Sequence, residues 1–338
     1  MTALIRITSL TGFPDLVREL GGDPDVMLKR FNIEPHLLES ISAVISYRSM
    51  INLLEYSAEQ LNCPDFGLQL AERQSMMILG PLAVIAQNSS TVGDALQEIA
   101  KFLHIYTPGI LLELDTKTDP TRPQLLLDVH LPGLNRLRQI TELSLGVAHK
   151  TLQMLFGSNF KADSIMMRTT TNLPQTRYQR FFSTHVYFGQ SCNALVLRHE
   201  HLGKVIDQHN QELRDTLVEY VSTISDANPL DICNQVEQLI LRLLPTQRCS
   251  LPLIAERLGM RERSLQRRLS EREILFEELV DQTRKELADR YLIEAQMPMA
   301  QVAGLLGYAE QSSFNRACRR WHATSPKERR KQLRQTEL

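Results

Sequence analysis

Apolar residues recur at spacings of three and four through the first hundred positions. In residues 46–62, Met50, Leu53, Leu54, Ala58 and Leu61 share one side of a helix. Thr91-Val92-Gly93-Asp94 opens a second helix, carrying Ala95, Ile99, Phe102 and Leu103. Beyond Pro108-Gly109 the period changes. Residues 110–114 and 124–130 read as short strands separated by TKTDPTRP, and residues 164–170, 184–188 and 194–198 as three more. Residues 138–156 read as a helix. The pattern predicts an α+β N-terminal domain over 1–203, a small sheet with helices. Concave apolar space is expected between that sheet and helix 138–156.

Residues 204–224 and 232–244 read as two helices, the first with Leu213, Leu217, Tyr220, Val221 and Ile224 on one side, broken at Asn228-Pro229. Residues 204–245 are expected to form a helical linker. From 246 to 338 the chain is expected to be all-α, with two helix-turn-helix units. In residues 251–272, Ile254, Ala255 and Leu258 face inward on a first helix, Gly259 supplies the turn, and Leu265 and Leu269 seat a second helix. Residues 299–321 echo this: Ala303 stands for Ala255, Gly307 for Gly259 at the same offset, and Phe314 for Leu265. Between the two, Phe276, Leu279, Val280, Thr283, Leu287, Ala288, Tyr291 and Leu292 mark one face of a long helix. On the second helix of each unit, arginine and glutamine can form bidentate pairs with guanine and adenine edges.

Charge sharpens the picture. The 338 residues sum to −1, but residues 248–338 hold 18 Lys/Arg against 13 Asp/Glu, and the preceding part 20 against 26. A basic end on an acidic body places the polyanion-binding surface at the end. The five cysteines, Cys63, Cys192, Cys233, Cys249 and Cys318, form no CxxC pair, which argues against a disulfide framework or structural zinc. No signal-peptide pattern and no run of roughly 20 apolar residues occurs, so a cytoplasmic protein is expected.

These motifs carry a family resemblance. IAERLGMRERSLQRRL and LADRYLIEAQMPMAQVAGLLGYAEQSSFNRACRRWHATSPKERR resemble the two units, linking helix and closing Ser-Pro signature of the AraC/XylS transcription regulators. The resemblance implies that the second helix of each unit enters the DNA major groove. It assigns DNA contacts to Arg263, Gln266 and Arg267, then to Gln311, Ser312, Asn315 and Arg316, with Arg320 a phosphate or packing residue; Arg261 joins them as an outward-facing neighbour on the same helix. Four positions depart from the family pattern: Glu273-Ile274 and Ala323 where glycine is usual, Cys318 where phenylalanine is common, and KERRK without the usual closing tyrosine. GGDPDVMLKRFNIEPHLLE, NCPDFGLQLAE and LGPLAVIAQNSSTVGDALQEIAKFLHIY resemble the sensor domain of regulators similar to the ornithine-utilisation regulator. That resemblance implies effector sensing and dimerisation by a domain unlike the cupin barrel of the arabinose regulator.

Other chemistry is discounted. Asp65-Phe66-Gly67 imitates a kinase triplet without a glycine loop or catalytic run, and Gly67 reads as the end of a turn. His199 and His201 would lie on opposite faces of a strand, without a third ligand. No catalytic residue, metal or cofactor is expected. The function expected is a DNA-binding transcription regulator, an activator. Its expected partners are double-stranded promoter DNA, a second copy of itself, RNA polymerase and a small-molecule effector. The rival readings are control by a protein partner, and an enzyme fused to a DNA-binding tail.

Overall fold

Both periodicities take shape in the computed structural model, which describes residues 4–336 apart from 41, 108, 130, 132, 133, 135, 172, 207–209, 228–230, 259 and 294–296. The chain divides into two units, Met1–Ala227 and Asn228–Leu338.

In the first unit, a two-stranded antiparallel ribbon of β1 (Leu4–Arg6) and β2 (Val44–Ser46) brackets α1 (Phe13–Glu19) and α2 (Pro24–Arg30). The sequence reading did not foresee this ribbon, since three residues are too few to show an alternation. Helices α3 (Tyr47–Gln60), α4 (Phe66–Arg73), α5 (Pro81–Gln87) and α6 (Val92–Tyr106) follow. The Thr91–Asp94 signal is realised as a capping box: the Thr91 hydroxyl accepts from the Asp94 N–H at 3.1 Å, and the Asp94 carboxylate accepts from the Thr91 N–H at 3.1 Å.

A five-stranded sheet comes next, in the order β3-β4-β7-β5-β6, antiparallel except for the parallel pair β5–β6. Strands β3 (Ile110–Asp115) and β4 (Gln124–Val129) form the expected hairpin. Its turn is held by Asp115, whose carboxylate accepts from the N–H groups of Lys117 and Thr118 at 2.8 and 3.1 Å, and by Asp119, which accepts from Thr121 and Arg122. Along β4, Leu125, Leu127 and Val129 are buried in strict alternation. The other three strands are shorter than their apolar runs predicted: β5 (Ser164–Met166), β6 (His185–Tyr187) and β7 (Ala194–Val196). Pairing between β5 and β7 covers only three residues each, and residues beyond that register leave the ladder.

Helix α7 (Arg138–Phe156) is buried on nearly every side, a central helix rather than an amphipathic one. It packs against α3, α4 and the sheet. Gly67 lies inside α4, where a Cβ would stand 2.0 Å from the Gln139 carbonyl oxygen, so it serves close helix approach rather than ending a turn. Neighbouring Asp65 pairs with Arg177 on α8 (Gln175–Phe182) at 2.5 Å. His199 and His201 lie on the short α9 (His199–Leu202), not on a strand, because β7 ends at Val196. His201 is buried, with its ring edge-on to Phe156 and Phe160.

The stretch 204–245 is divided between the units. Helix α10 (Gln211–Ala227) begins later than the pattern predicted, since Val205 bridges to Thr91. It packs against α5, and Arg214 pairs with Glu98 at 2.9 Å. Its apolar side splits: Val221 is buried and Leu217 half-buried, whereas Leu213 and Tyr220 are 42% and 55% exposed. The proposed break at Asn228-Pro229 lies outside the described residues.

The second unit is helical throughout its described residues: α11 (Asp231–Leu243), α12 (Leu251–Arg257), α13 (Glu262–Ser270), α14 (Phe276–Ile293), α15 (Met299–Leu305), α16 (Gln311–His322) and α17 (Pro326–Thr336). Helix α14 runs through its middle, burying Val280, Thr283, Leu287, Ala288 and Leu292.

Candidate nucleic-acid interface

The internal echo in the sequence is repeated in the backbone. At the end of α12 the Met260 N–H donates to the Ala255 carbonyl at 2.9 Å, and at the end of α15 the Tyr308 N–H donates to the Ala303 carbonyl at 2.9 Å. This six-to-one bond closes a helix through a left-handed residue. In the second pair that residue is Gly307, at φ +76°, where a Cβ would also meet the Leu244 carbonyl oxygen at 2.6 Å. Its counterpart, Gly259, lies outside the described residues. Ala255 and Ala303 are buried at the two turns, and Leu265 and Phe314 are fully buried anchors of α13 and α16.

Seating those anchors fixes which side chains turn outward. Arg261 stands at the N-cap of α13, and Arg263, Gln266 and Arg267 are exposed along it. Arg267 is 73% exposed and only loosely paired, 3.6 Å from Glu271. On α16, Gln311, Ser312 and Arg316 are exposed and Asn315 is half-buried. The Ser312 hydroxyl donates to Glu310 at 3.1 Å, and Arg316 donates to the Ser313 hydroxyl at 3.1 Å. Each helix thus presents an unburied arginine beside amides or hydroxyls, the donor and acceptor types that base edges require.

Arg320 differs. Its guanidinium pairs with Asp281 of α14 and lies 5.9 Å over the Trp321 ring, while the Trp321 indole N–H donates to the same carboxylate at 2.8 Å. The Ser-Pro signature also has a structural role. Ser325 and Glu328 form a reciprocal cap, with Ser325 N–H to Glu328 at 2.8 Å and Glu328 N–H to the Ser325 hydroxyl at 3.3 Å, ahead of buried Pro326. Helix α17 is then fastened to α14 by Arg329 on Asp289, at 2.9 and 2.6 Å. Asp281 and Asp289 were missed by sequence reasoning, because acidic residues on a solvated helix carry no distinguishing signal there.

The first unit contains a cavity of about 90 Å³. Leu112 and Leu127 of the sheet line one side and Leu143 and Val147 of α7 another, where concave apolar space was expected; α6 adds Leu96 and Ile99. Two polar groups on its wall, the Tyr47 hydroxyl and Gln74 Oε1, are buried without a hydrogen-bond partner. Neither was singled out in the sequence. Among the described residues, no group of three His, Cys, Asp or Glu is placed to hold a metal ion, and no helix is long and apolar enough to cross a membrane.

Comparison with known proteins agrees across both units. A family profile described as the arabinose-binding domain of AraC transcription regulator, N-terminal, matches residues 21–205, and a helix-turn-helix domain profile matches 254–332. The chain is 35% identical to the HTH-type transcriptional regulator VirS of Mycobacterium tuberculosis over 97% of its own length and 96% of that protein's. It is 25% identical to the ornithine utilization regulator of Pseudomonas aeruginosa, over 97% and 96% of the two chains. Among solved structures, the transcriptional regulator CdpR of Pseudomonas aeruginosa aligns over 93% of this chain and 97% of its own, at 22% identity and a TM-score of 0.46.

Proposed function

The chain belongs to the AraC family of transcription regulators, and on that premise we propose that it is a cytoplasmic activator that binds promoter DNA sequence-specifically as a homodimer. The repeated helix pair supports this reading most directly: two turns with the same backbone bond, two buried anchors, and two helices that each present an exposed arginine. Arg261, Arg263, Gln266 and Arg267 of α13, and Gln311, Ser312, Asn315 and Arg316 of α16, are the proposed DNA-facing residues. Arg320 is proposed as a phosphate contact. The first unit regulates this binding through a small effector held in its cavity, and RNA polymerase is the partner through which transcription rises. No catalytic step is assigned to the protein.

Binding titrations of the full chain on its promoter duplex and on a scrambled duplex test the assignment. Arg267→Ala and Arg316→Ala should each cost about 1–3 kcal/mol on the specific duplex and relax preference at one base position. Unchanged specific affinity in both variants would remove α13 and α16 from the grooves.

A further inference from the structure

Six polar side chains line the cavity among the described residues: Ser9, Tyr47, Gln74, Thr107, Ser144 and Thr151. Ser144 and Thr151 line it, but their hydroxyls donate to the Ile140 and Val147 carbonyls of their own helix, at 2.7 and 2.9 Å. Gln74 donates from Nε2 to the carbonyls of Ser9 and Thr11, at 2.9 and 3.1 Å. Those two bonds fix the amide orientation and leave Oε1 as a buried acceptor without a donor. The Tyr47 hydroxyl is likewise buried and unpartnered, and burial pushes its pKa far above the usual range, so it stays a neutral O–H. Among the described residues, no Lys, Arg, His, Asp or Glu lines the cavity. An orphaned buried polar atom is destabilising, and a ligand bonding to it recovers that cost.

Resting on the reading of this unit as an effector domain, we propose that the cavity receives a small, uncharged, mainly apolar molecule bearing a hydroxyl or primary amide. The ligand must supply a donor to Gln74 Oε1 and a group that bonds the Tyr47 hydroxyl, with carbon against the remaining wall. A sugar does not meet this condition, whatever the description of the matching family profile suggests, because it carries a hydroxyl on nearly every carbon and most would face leucine and isoleucine. An amino acid such as ornithine fails for a different reason: its ammonium and carboxylate groups would be buried without an opposite charge. Size agrees with a short chain. About 90 Å³ is several times the room one water needs, and less than the roughly 150 Å³ apolar cavity that accepts benzene.

Ligand-observed NMR on the full-length protein provides the test, with 1-butanol and butanamide as probes and L-arabinose, L-ornithine and butyrate as comparators. Butanol and butanamide should bind and the comparators should not. Tyr47→Phe should weaken probe binding about five- to tenfold, the worth of one hydrogen bond, while raising the melting temperature of the free protein by deleting an orphaned hydroxyl. Ala148→Leu, on the cavity wall, should abolish binding. Tyr47→Phe removes a single oxygen, so it keeps the test decisive if the larger substitution does not fold. The proposal is overturned if neither probe binds, if both bind Ala148→Leu as tightly as the parent, or if arabinose, ornithine or butyrate binds at a site that Ala148→Leu closes. The effector-domain reading fails separately, if a cavity-filled variant that folds still regulates its promoter as the parent does.

Discussion

Glu273 and Ala323 occupy left-handed backbone, at φ +59° and +56°, at the ends of α13 and α16. At the first, the Ile274 N–H donates to the Leu269 carbonyl at 3.1 Å, and at the second the Ala323 N–H donates to Arg319 at 2.9 Å. Both are left-handed residues in the turn that closes a helix, where a side chain adds steric cost, about 1–2 kcal/mol for an L-residue. They are also the two positions where the chain departs from the family's glycines, so the departure is one of stability and leaves the fold intact. Glu273→Gly and Ala323→Gly should each stabilise the second unit by about 1 kcal/mol, less the entropy glycine restores to the unfolded chain. Urea denaturation, followed by the fluorescence of Trp321, measures it; a lower midpoint in both variants would contradict this assignment.

Helix α7 shows what can and cannot be read from pattern. Its length and place were legible, because apolar residues recur throughout 138–156. Its polar interior was not. Glu142 accepts from Arg138 at 2.9 Å and from the Tyr178 hydroxyl at 2.8 Å, and burial still raises its pKa, but Tyr178 lies 36 residues away in sequence. His149 is enclosed by Phe160, Phe181 and Phe182 with neither ring nitrogen hydrogen-bonded, and burial lowers its pKa to about 4. A group whose folded pKa lies below its unfolded value of about 6.5 stabilises the fold fully above pH 6.5. That contribution is lost as pH falls from about 6.5 to 4, at most about 3 kcal/mol. His149→Leu should therefore be less acid-sensitive than the parent across this window. Parallel losses in denaturation series at pH 7.5 and 5 would show that His149 does not titrate on unfolding.

For the whole molecule, the two-part organisation followed from the all-helical run after residue 246, against the mixed helices and strands before it, while the exact division did not. Residues 204–245 looked uniform because α10 and α11 carry the same helical pattern; which neighbours they pack against is decided by distant residues such as Glu98, the partner of Arg214. The outward-facing residues of α13 and α16 were legible for a simpler reason: local spacing from a buried anchor fixes them. The cavity's polar pair was illegible, since Tyr47 and Gln74 are far apart in sequence. Dimerisation is proposed to use the exposed side of α10, where Leu213 and Tyr220 stand seven residues apart. Sedimentation of the full chain should give a dimer, and the double variant Leu213→Glu, Tyr220→Glu a monomer; a double variant that stays dimeric moves the seam elsewhere.

The contact between Arg320 and Asp281 bears on how such a regulator searches a genome. A cation already neutralised within its own protein displaces no counterion when it meets a phosphate, so random DNA gains little from it. If Arg320 contacts phosphate as proposed, Asp281 competes with the DNA backbone for that guanidinium. Freed by Asp281→Asn, Arg320 should tighten binding to scrambled duplexes more than to the promoter and steepen the dependence on log salt by about one. The parent chain would then owe part of its selectivity to a carboxylate that lowers affinity for every sequence it must leave quickly.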